Sequence, residues 1–345
     1  MRYTLLLFIL VFSSSIGCLA QSIPEQLKDE IEAGTYPRVD GILMSQGGDL
    51  LVEAYFNGFD RGSLHQTRSS FKSITSILAG IAVDQGLFSV HDKVKKFIVE
   101  WENDPRGEIS IKDLLQMKSG LACEEFFGIG VDCESEMFDT DDWLGYLLDI
   151  PLRHEPGLNW AYTSAEPHFI GVIISRASGM SVVDFARIHL FEPLGISEYE
   201  WTITPDGIGY TAGSFSMLPL DMLKIAQLVI DKGQWDGKQI VSEAWLQEST
   251  NCQTDVEMSF VRFGRTENAK YSTANYGYLW YREMLRYGDI DTEVLFASGN
   301  GGQYMMILED YNATIAFTGS NFGSWRGKLP FDILLKYLIP MLESR

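Results

Sequence analysis

A chain of 345 residues, 46% of them hydrophobic and including 8 Trp, 15 Tyr and 20 Phe, has enough apolar material for a large core and too much aromatic content to stay disordered. Its 27 basic and 47 acidic residues leave a formal charge of −20, spread along the chain without a long acidic run. That balance argues against nucleic acid and against an anionic membrane surface as partners.

Residues 1–20, MRYTLLLFILVFSSSIGCLA, have the form of a secretory signal: Arg2 at the start, an apolar run too short to span a bilayer, then small residues. Cleavage after Ala20 leaves Gln21 first and makes the protein periplasmic or secreted. The alternative is a lipoprotein signal with a lipid-modified Cys18 after Gly17, a pattern that Ser15 and Ile16 fit only loosely. No later segment of the sequence is long and apolar enough to span a membrane.

A short helix is expected over 25–33. Gly47, Gly48 and Asp49 separate two β-type runs within 41–56 and imply a hairpin, and Asn57-Gly58 marks a further turn. Residues 69–86 read SSFKSITSILAGIAVDQG. Phe71, Ile74, Ile77, Leu78, Ile81 and Val83 cover more than one face of a helix there, so the helix is buried. Helices follow over 109–117, 143–150, 165–177 and 182–190, with 121–142 irregular among them. Two more are expected over 220–232 and 242–249. Segments 276–284, 293–297, 303–308 and 314–318 read as strands, the last two joined through 309–312, and 331–342 reads as a final apolar helix despite Pro340. β elements at both ends around a helical middle imply one sheet built from both termini, with a helical domain inserted. The sheet part spans about 21–68 and 205–345, and the helical part about 75–200, within one domain over 21–345.

Cys123 and Cys133 are spaced to close a short loop in an oxidising compartment, or to stand as two core thiols. No cysteine set has zinc-finger spacing, and the five histidines form no H-E-x-x-H pattern.

Ser69 and Lys72 are three apart at the start of the buried helix, so they share a face. Free N–H groups at that helix end favour a developing oxyanion. This is the S-x-x-K spacing of serine acyl-transferring enzymes. By itself it fits better a capped core helix whose lysine snorkels to solvent. The apolar run behind Lys72 is expected to lower its pKa, so that it can exchange a proton with Ser69. Tyr162, in Tyr162-Thr163-Ser164, lies on a turn before a helix. Beside a lysine ammonium its phenolate is favoured, which makes it a candidate general base; the plain alternative is a packing tyrosine. Phe296 to Gln303, FASGNGGQ, is a strand end running into glycines, where backbone can approach a ligand closely. It can equally be a tight turn.

SSFK, PGLNWAYTS and FASGNGGQ, in this order, resemble the serine β-lactamase-like hydrolases: class C β-lactamases, penicillin-binding peptidases, and a group of esterases and amidases. KSITSILAGIAVDQGLFSVHDKV, IKDLLQMKSGL and SGMSVVDFARIHLFEPLGI extend the resemblance, which covers about residues 40–320. Within the superfamily the chain looks most like the branch of 6-aminohexanoate-dimer hydrolase. The resemblance implies an α+β fold, an α/β/α sandwich with an antiparallel sheet. It implies Ser69 as nucleophile, Lys72 as its partner in proton transfer and Tyr162 as base and acid. The backbone N–H groups of Ser69 and Asn300 would form the oxyanion hole. Ser298, Gly299 and Ser164 would contact substrate, Ser298 alternatively Tyr162. No metal or organic cofactor enters. Two positions depart from the pattern. Ala297 stands where the β-lactamases and peptidases carry a basic residue that helps hold a substrate carboxylate, and Ser164 stands where they carry Asn. Both move the expected substrate toward a small carboxylic ester or simple amide. A penicillin-binding D-Ala-D-Ala carboxypeptidase or β-lactamase is the rival within enzymes, and a non-catalytic binding or sensor protein the rival from another class. The absence of G-x-S-x-G argues against an α/β-hydrolase.

Overall fold

The computed structural model describes residues 22–125 and 130–345; the leader over 1–20, with Cys18, lies outside the described residues. The N-terminal hairpin pairs β1 (Val39–Gln46) with β2 (Asp49–Tyr55) about the Gly47-Gly48 turn. Three short strands, β3 (His65–Gln66), β4 (Tyr199–Trp201) and β5 (Phe215–Met217), form a small sheet in the order β3-β5-β4. A two-strand ribbon of β6 (Gln234–Trp235) and β7 (Lys238–Gln239) follows. The main sheet is completed by β8 (Thr254–Asp255), β9 (Asn275–Tyr276), β10 (Tyr281–Tyr287), β11 (Ile290–Gly299), β12 (Gln303–Leu308) and β13 (Ala313–Gly319). Its eight strands run β2-β1-β13-β12-β11-β10-β9-β8. Pairing of β1 with β13, Ile42 opposite Phe317 and Met44 opposite Ile315, joins the two ends of the chain into one antiparallel sheet, as the sequence implied.

The helices are α1 (Glu25–Glu32), α2 (Phe71–Asp84), α3 (Ile111–Leu115), α4 (Cys133–Phe138), α5 (Trp143–Asp149), α6 (Ala165–Ser178), α7 (Val182–Ala186), α8 (Pro219–Ile230), α9 (Glu243–Ser249) and α10 (Phe260–Gly264). Helical turns from Pro330 to Glu343 close the chain, continuous through Pro340. Successive residues of β11 show how these helices sandwich the sheet, because neighbours on a strand point to opposite faces. Leu295 meets Val229 and Ile230 of α8 and Leu246 of α9 around one cavity. Phe296 packs its ring against Phe260 of α10 and Phe331 of the C-terminal helix, on the other face.

α2 is buried over all but its last two residues. Each Ile, Leu or Phe sealed in this way contributes about 1.5–3 kcal/mol. α9 lies so close that a Cβ on Gly80 would fall 2.3 Å from a ring carbon of Trp245.

Three expectations are corrected. The strand expected over 276–284 is broken between β9 and β10, where Leu279 turns the chain at a left-handed φ of 63°. The irregular stretch 121–142 contains α4, started by Asp132, whose side chain accepts from Ser135 N. The helix expected over 109–117 contracts to α3, held by a reciprocal capping box of Ser110 and Asp113. Cys123 and Cys133 are joined by a disulfide, and Cys252 is a buried free thiol.

Candidate active site

The approach to Ser69 is set by the small sheet. Thr67 donates its N–H to Phe215 O at 2.7 Å and its hydroxyl to the same oxygen at 2.9 Å. Arg68 then takes a left-handed φ of 49°, rare for a residue with a Cβ and typical of functional corners. Ser69 sits half-buried in the single 3-10 turn Arg68–Ser70 that leads into α2. Ser70 spends its hydroxyl on Thr67 O, at 2.7 Å, and no side-chain bond caps α2. The arrangement is therefore not that of a simple capped helix.

Lys72 does not snorkel: it is 2% exposed. Its Nζ donates to Ser69 Oγ at 3.0 Å, Ser164 Oγ at 3.1 Å and Ala212 O at 2.9 Å. Three acceptors match the three N–H bonds of an ammonium. The same Nζ lies 4.9 Å from the ring centre of Tyr162. Burial pulls the lysine down, but Tyr162, Glu134 and Glu125 outweigh it and hold the pKa above its ordinary value. This corrects the expectation of a depressed lysine. The sequence showed the apolar run behind Lys72 but not the acidic groups folded over it.

The turn of Tyr162, Thr163 and Ser164 enters α6. Ser164 is buried, with its hydroxyl between Lys72 and Glu125. Opposite, β11 ends against the Ser69 turn. A Cβ on Gly299 would lie 2.2 Å from Thr67 O, so the contact requires glycine. β10 pairs with β11 only as far as Phe296, whereas β12 follows it to Gly299. The backbone edge beyond Phe296 is therefore left without a β10 partner next to Ser69. Asn300 follows, exposed, its side-chain oxygen accepting from Gly323 N at 2.8 Å.

Ser298 points to the opposite face of β11 from Gly299. Its Oγ is 3.5 Å from Lys328 Nζ, which also lies 4.5 Å from the centre of the Phe260 ring. Burial of that ammonium pushes Lys328 down to about 8, with Glu283 opposing. Neither Lys328 nor Glu125 was legible as a site residue. Lys328 comes from a short turn after the last strand, and Glu125 from the irregular segment beside Cys123.

Among the described residues no group of three or more His, Cys, Asp or Glu side chains is placed to hold a metal, and no single helix is long and apolar enough to cross a membrane. A cavity of about 570 Å³ between α8 and the N-terminal hairpin includes none of the groups around Ser69.

A serine hydroxyl held by a buried lysine, facing a tyrosine turn and a strand edge, is an arrangement suited to a serine nucleophile. The chain belongs to the Beta-lactamase family, whose model matches residues 38–330. It is 25% identical over 247 residues to 6-aminohexanoate-dimer hydrolase of Paenarthrobacter ureafaciens, a match covering 67% of this chain and 61% of that protein. Against penicillin-binding protein 4* of Bacillus subtilis it is 26% identical over 186 residues, covering 50% of this chain and 40% of that protein. The chain thus spans less than two thirds of the length of these curated relatives. The structure of a candidate 6-aminohexanoate-dimer hydrolase from Bacillus anthracis superposes with a TM-score of 0.73 at 17% identity, covering 91% of this chain and 81% of that one, which establishes the shared fold.

Proposed function

We propose that this protein is a secreted serine hydrolase that cleaves a small carboxylic ester or simple amide through an acyl-enzyme on Ser69. The observation that carries the reading is the 3.0 Å contact from Lys72 Nζ to Ser69 Oγ. Because that oxygen accepts from an ammonium, its own proton is free to go elsewhere. Tyr162, whose ring centre lies 4.9 Å from the same ammonium, takes it. Ser69 Oγ then bonds to the carbonyl carbon, and the resulting oxyanion is met by the N–H groups of Ser69 and Asn300. As the C–O or C–N bond breaks, Tyr162 returns the proton to the leaving group. Water attacks the acyl carbon, giving its proton to Tyr162, and the acid departs as Ser69 Oγ recovers a proton. Lys72 remains an ammonium throughout and acts by charge. The disulfide between Cys123 and Cys133 supports an oxidising compartment, consistent with a cleaved leader over 1–20.

A fluorophosphonate probe should add its mass to Ser69, and Ser69→Ala should abolish hydrolysis of p-nitrophenyl acetate and butyrate. Absence of an adduct, or equal hydrolysis by the variant, would overturn the reading; neither adduct nor hydrolysis in the wild type would favour a non-catalytic binding protein. One observation favours a second substrate class. Lys328 lies beside Ser298, the residue after Ala297 on β11, and a cation there suits a substrate carboxylate such as that of a penicillin or a D-Ala terminus. Labelling of Ser69 by a fluorescent penicillin would select that class.

A further inference from the structure

Glu125 makes more contacts to the site than any role in the reaction above requires. Its Oε2 accepts from Ser164 Oγ at 2.8 Å, and Ser164 Oγ in turn accepts from Lys72 Nζ at 3.1 Å. Its Oε1 accepts from Ser164 N at 2.8 Å and Thr163 Oγ1 at 3.1 Å. Its backbone N–H donates to Tyr162 O at 2.9 Å. One residue thus grips all three members of the Tyr162 turn and reaches the lysine through a single hydroxyl.

We propose that Glu125 is a positioning residue of the hydrolytic site, fixing the Tyr162 turn and, through Ser164, orienting and electrically balancing the Lys72 ammonium. The proposal rests on the roles of Ser69, Lys72 and Tyr162 given above. A serine at 164 cannot by itself hold a buried ammonium against loss of its charge, because a neutral hydroxyl only passes on the polarity of what lies behind it. Glu125 is what lies behind it. Glu134, the other carboxylate near Lys72, is engaged by the Tyr210 hydroxyl at 2.5 Å, which leaves Glu125 as the acid bonded to Ser164.

The backbone is built to deliver this carboxylate. Cys123, two residues before Glu125, is bonded to Cys133, one residue before Glu134. Between them Glu124 N donates to Val131 O at 3.0 Å. The disulfide thereby ties together the two backbone segments that carry these acids. Burial raises the Glu125 pKa, Lys72 lowers it and Glu134 raises it again. The charged and titratable groups acting on this pair are Tyr162, Glu134, Tyr210, Glu166 and Tyr146. All of them remain when Glu125 alone is changed.

The alternative is that Glu125 merely braces the start of α6. The two roles separate in the pH profile. Glu125→Gln keeps a side-chain oxygen at the turn but removes the charge that holds up the Lys72 ammonium. Lys72 then loses its proton at lower pH, so the alkaline limb of kcat/KM moves toward acid. With the full chain and p-nitrophenyl acetate, the limb should fall by about half a pH unit or more, and kcat by about tenfold. Glu125→Asp keeps the charge and should restore the limb without restoring the full rate. Ser164→Ala cuts the same link from the lysine side. It should shift the limb likewise, and the double variant should be no worse than the poorer single one.

The proposal is overturned if Glu125→Gln has the wild-type limb, or if the effects of Glu125→Gln and Ser164→Ala on kcat multiply. Should Glu125→Gln lose its near-ultraviolet dichroism, Ser164→Ala alone decides, by the position of its limb. A parallel Ser69→Ala control separates the two readings. If that control keeps activity, the assignment of the nucleophile fails. If it is inactive while both limbs stay in place, only the role of Glu125 fails.

Discussion

Lys72 and Lys328 are both lysines with buried ammonium groups, and their surroundings set them apart. Three oxygen acceptors and nearby acidic groups keep Lys72 charged, so what it presents to Ser69 is an ammonium and not a basic lone pair. Lys328 has aromatic rings over it and one long contact to Ser298, and it loses its proton near 8. A lysine cation exists below its pKa, so any pull it exerts on a substrate carboxylate is present at low pH and lost as pH rises through about 8. A charge-assisted contact of this kind is worth about 1.5–3 kcal/mol, or about ten- to a hundredfold in KM. Lys328→Met should therefore raise KM more for an ester with a free carboxylate than for its methyl ester. In the wild type, the ratio of kcat/KM for the acid over the methyl ester should fall between about pH 7 and about pH 9. A ratio that is flat with pH would remove Lys328 from substrate recognition.

At the level of elements, the site depends on how closely β11 approaches the Ser69 turn. Gly299→Ala places a methyl group 2.2 Å from Thr67 O, a backbone atom that cannot rotate away. Strand and turn must separate, and the Asn300 N–H moves with them. A displacement of about 1 Å at reacting groups costs about a hundredfold, so kcat should fall to that extent while thermal unfolding shows a folded protein. Retained kcat would mean that the strand end does not form the oxyanion hole. The glycine was visible in FASGNGGQ, as were the N-terminal hairpin in its Gly-Gly turn and α2 in its apolar run. Those features are local: a turn residue or a period in the chain is enough to show them. Glu125 lies in a stretch without period, and its contacts are to residues 38 and 39 positions away and, through Ser164, to α2. Lys328 meets Ser298 from 30 positions away, across the edge of a strand. The break at Leu279 is a non-glycine residue in left-handed geometry, which neither composition nor alternation signals. Glu125 and Lys328 escaped the sequence because tertiary approach sets their contacts, whereas the Asp132 cap that starts α4 is local and was not read.

For the molecule as a whole, an excess of acid is combined with several acids folded into the interior. Glu283 is the most accessible test. It is 2% exposed and accepts from Ser259 Oγ at 2.6 Å and Phe260 N at 2.8 Å. Burial pushes it up to about 7 in spite of those bonds and of Lys328. Glu125, Glu166 and Asp221 are raised for the same first reason. An acid with a raised folded pKa holds a proton that the unfolded chain has already released. For Glu283 this stability is complete below the ordinary value of 4.5, declines as pH rises, and is gone above about 7. Asp104 works in the other direction. Arg106 holds it down to about 2, so its contribution is present above its ordinary 3.8 and is lost as pH falls. Self-repulsion at a formal charge of −20 adds to the alkaline loss. Stability should therefore peak on the acid side of neutrality, near about pH 5, and decline toward about pH 8. Glu283→Gln, an uncharged stand-in for the protonated side chain, should flatten part of that decline. Chemical unfolding of both proteins across the range measures the difference directly: the gap in midpoint should close, or reverse, as pH rises. Two parallel curves would show that Glu283 is ionised in the folded protein throughout, its charge satisfied by the N–H groups of α10 and by Lys328.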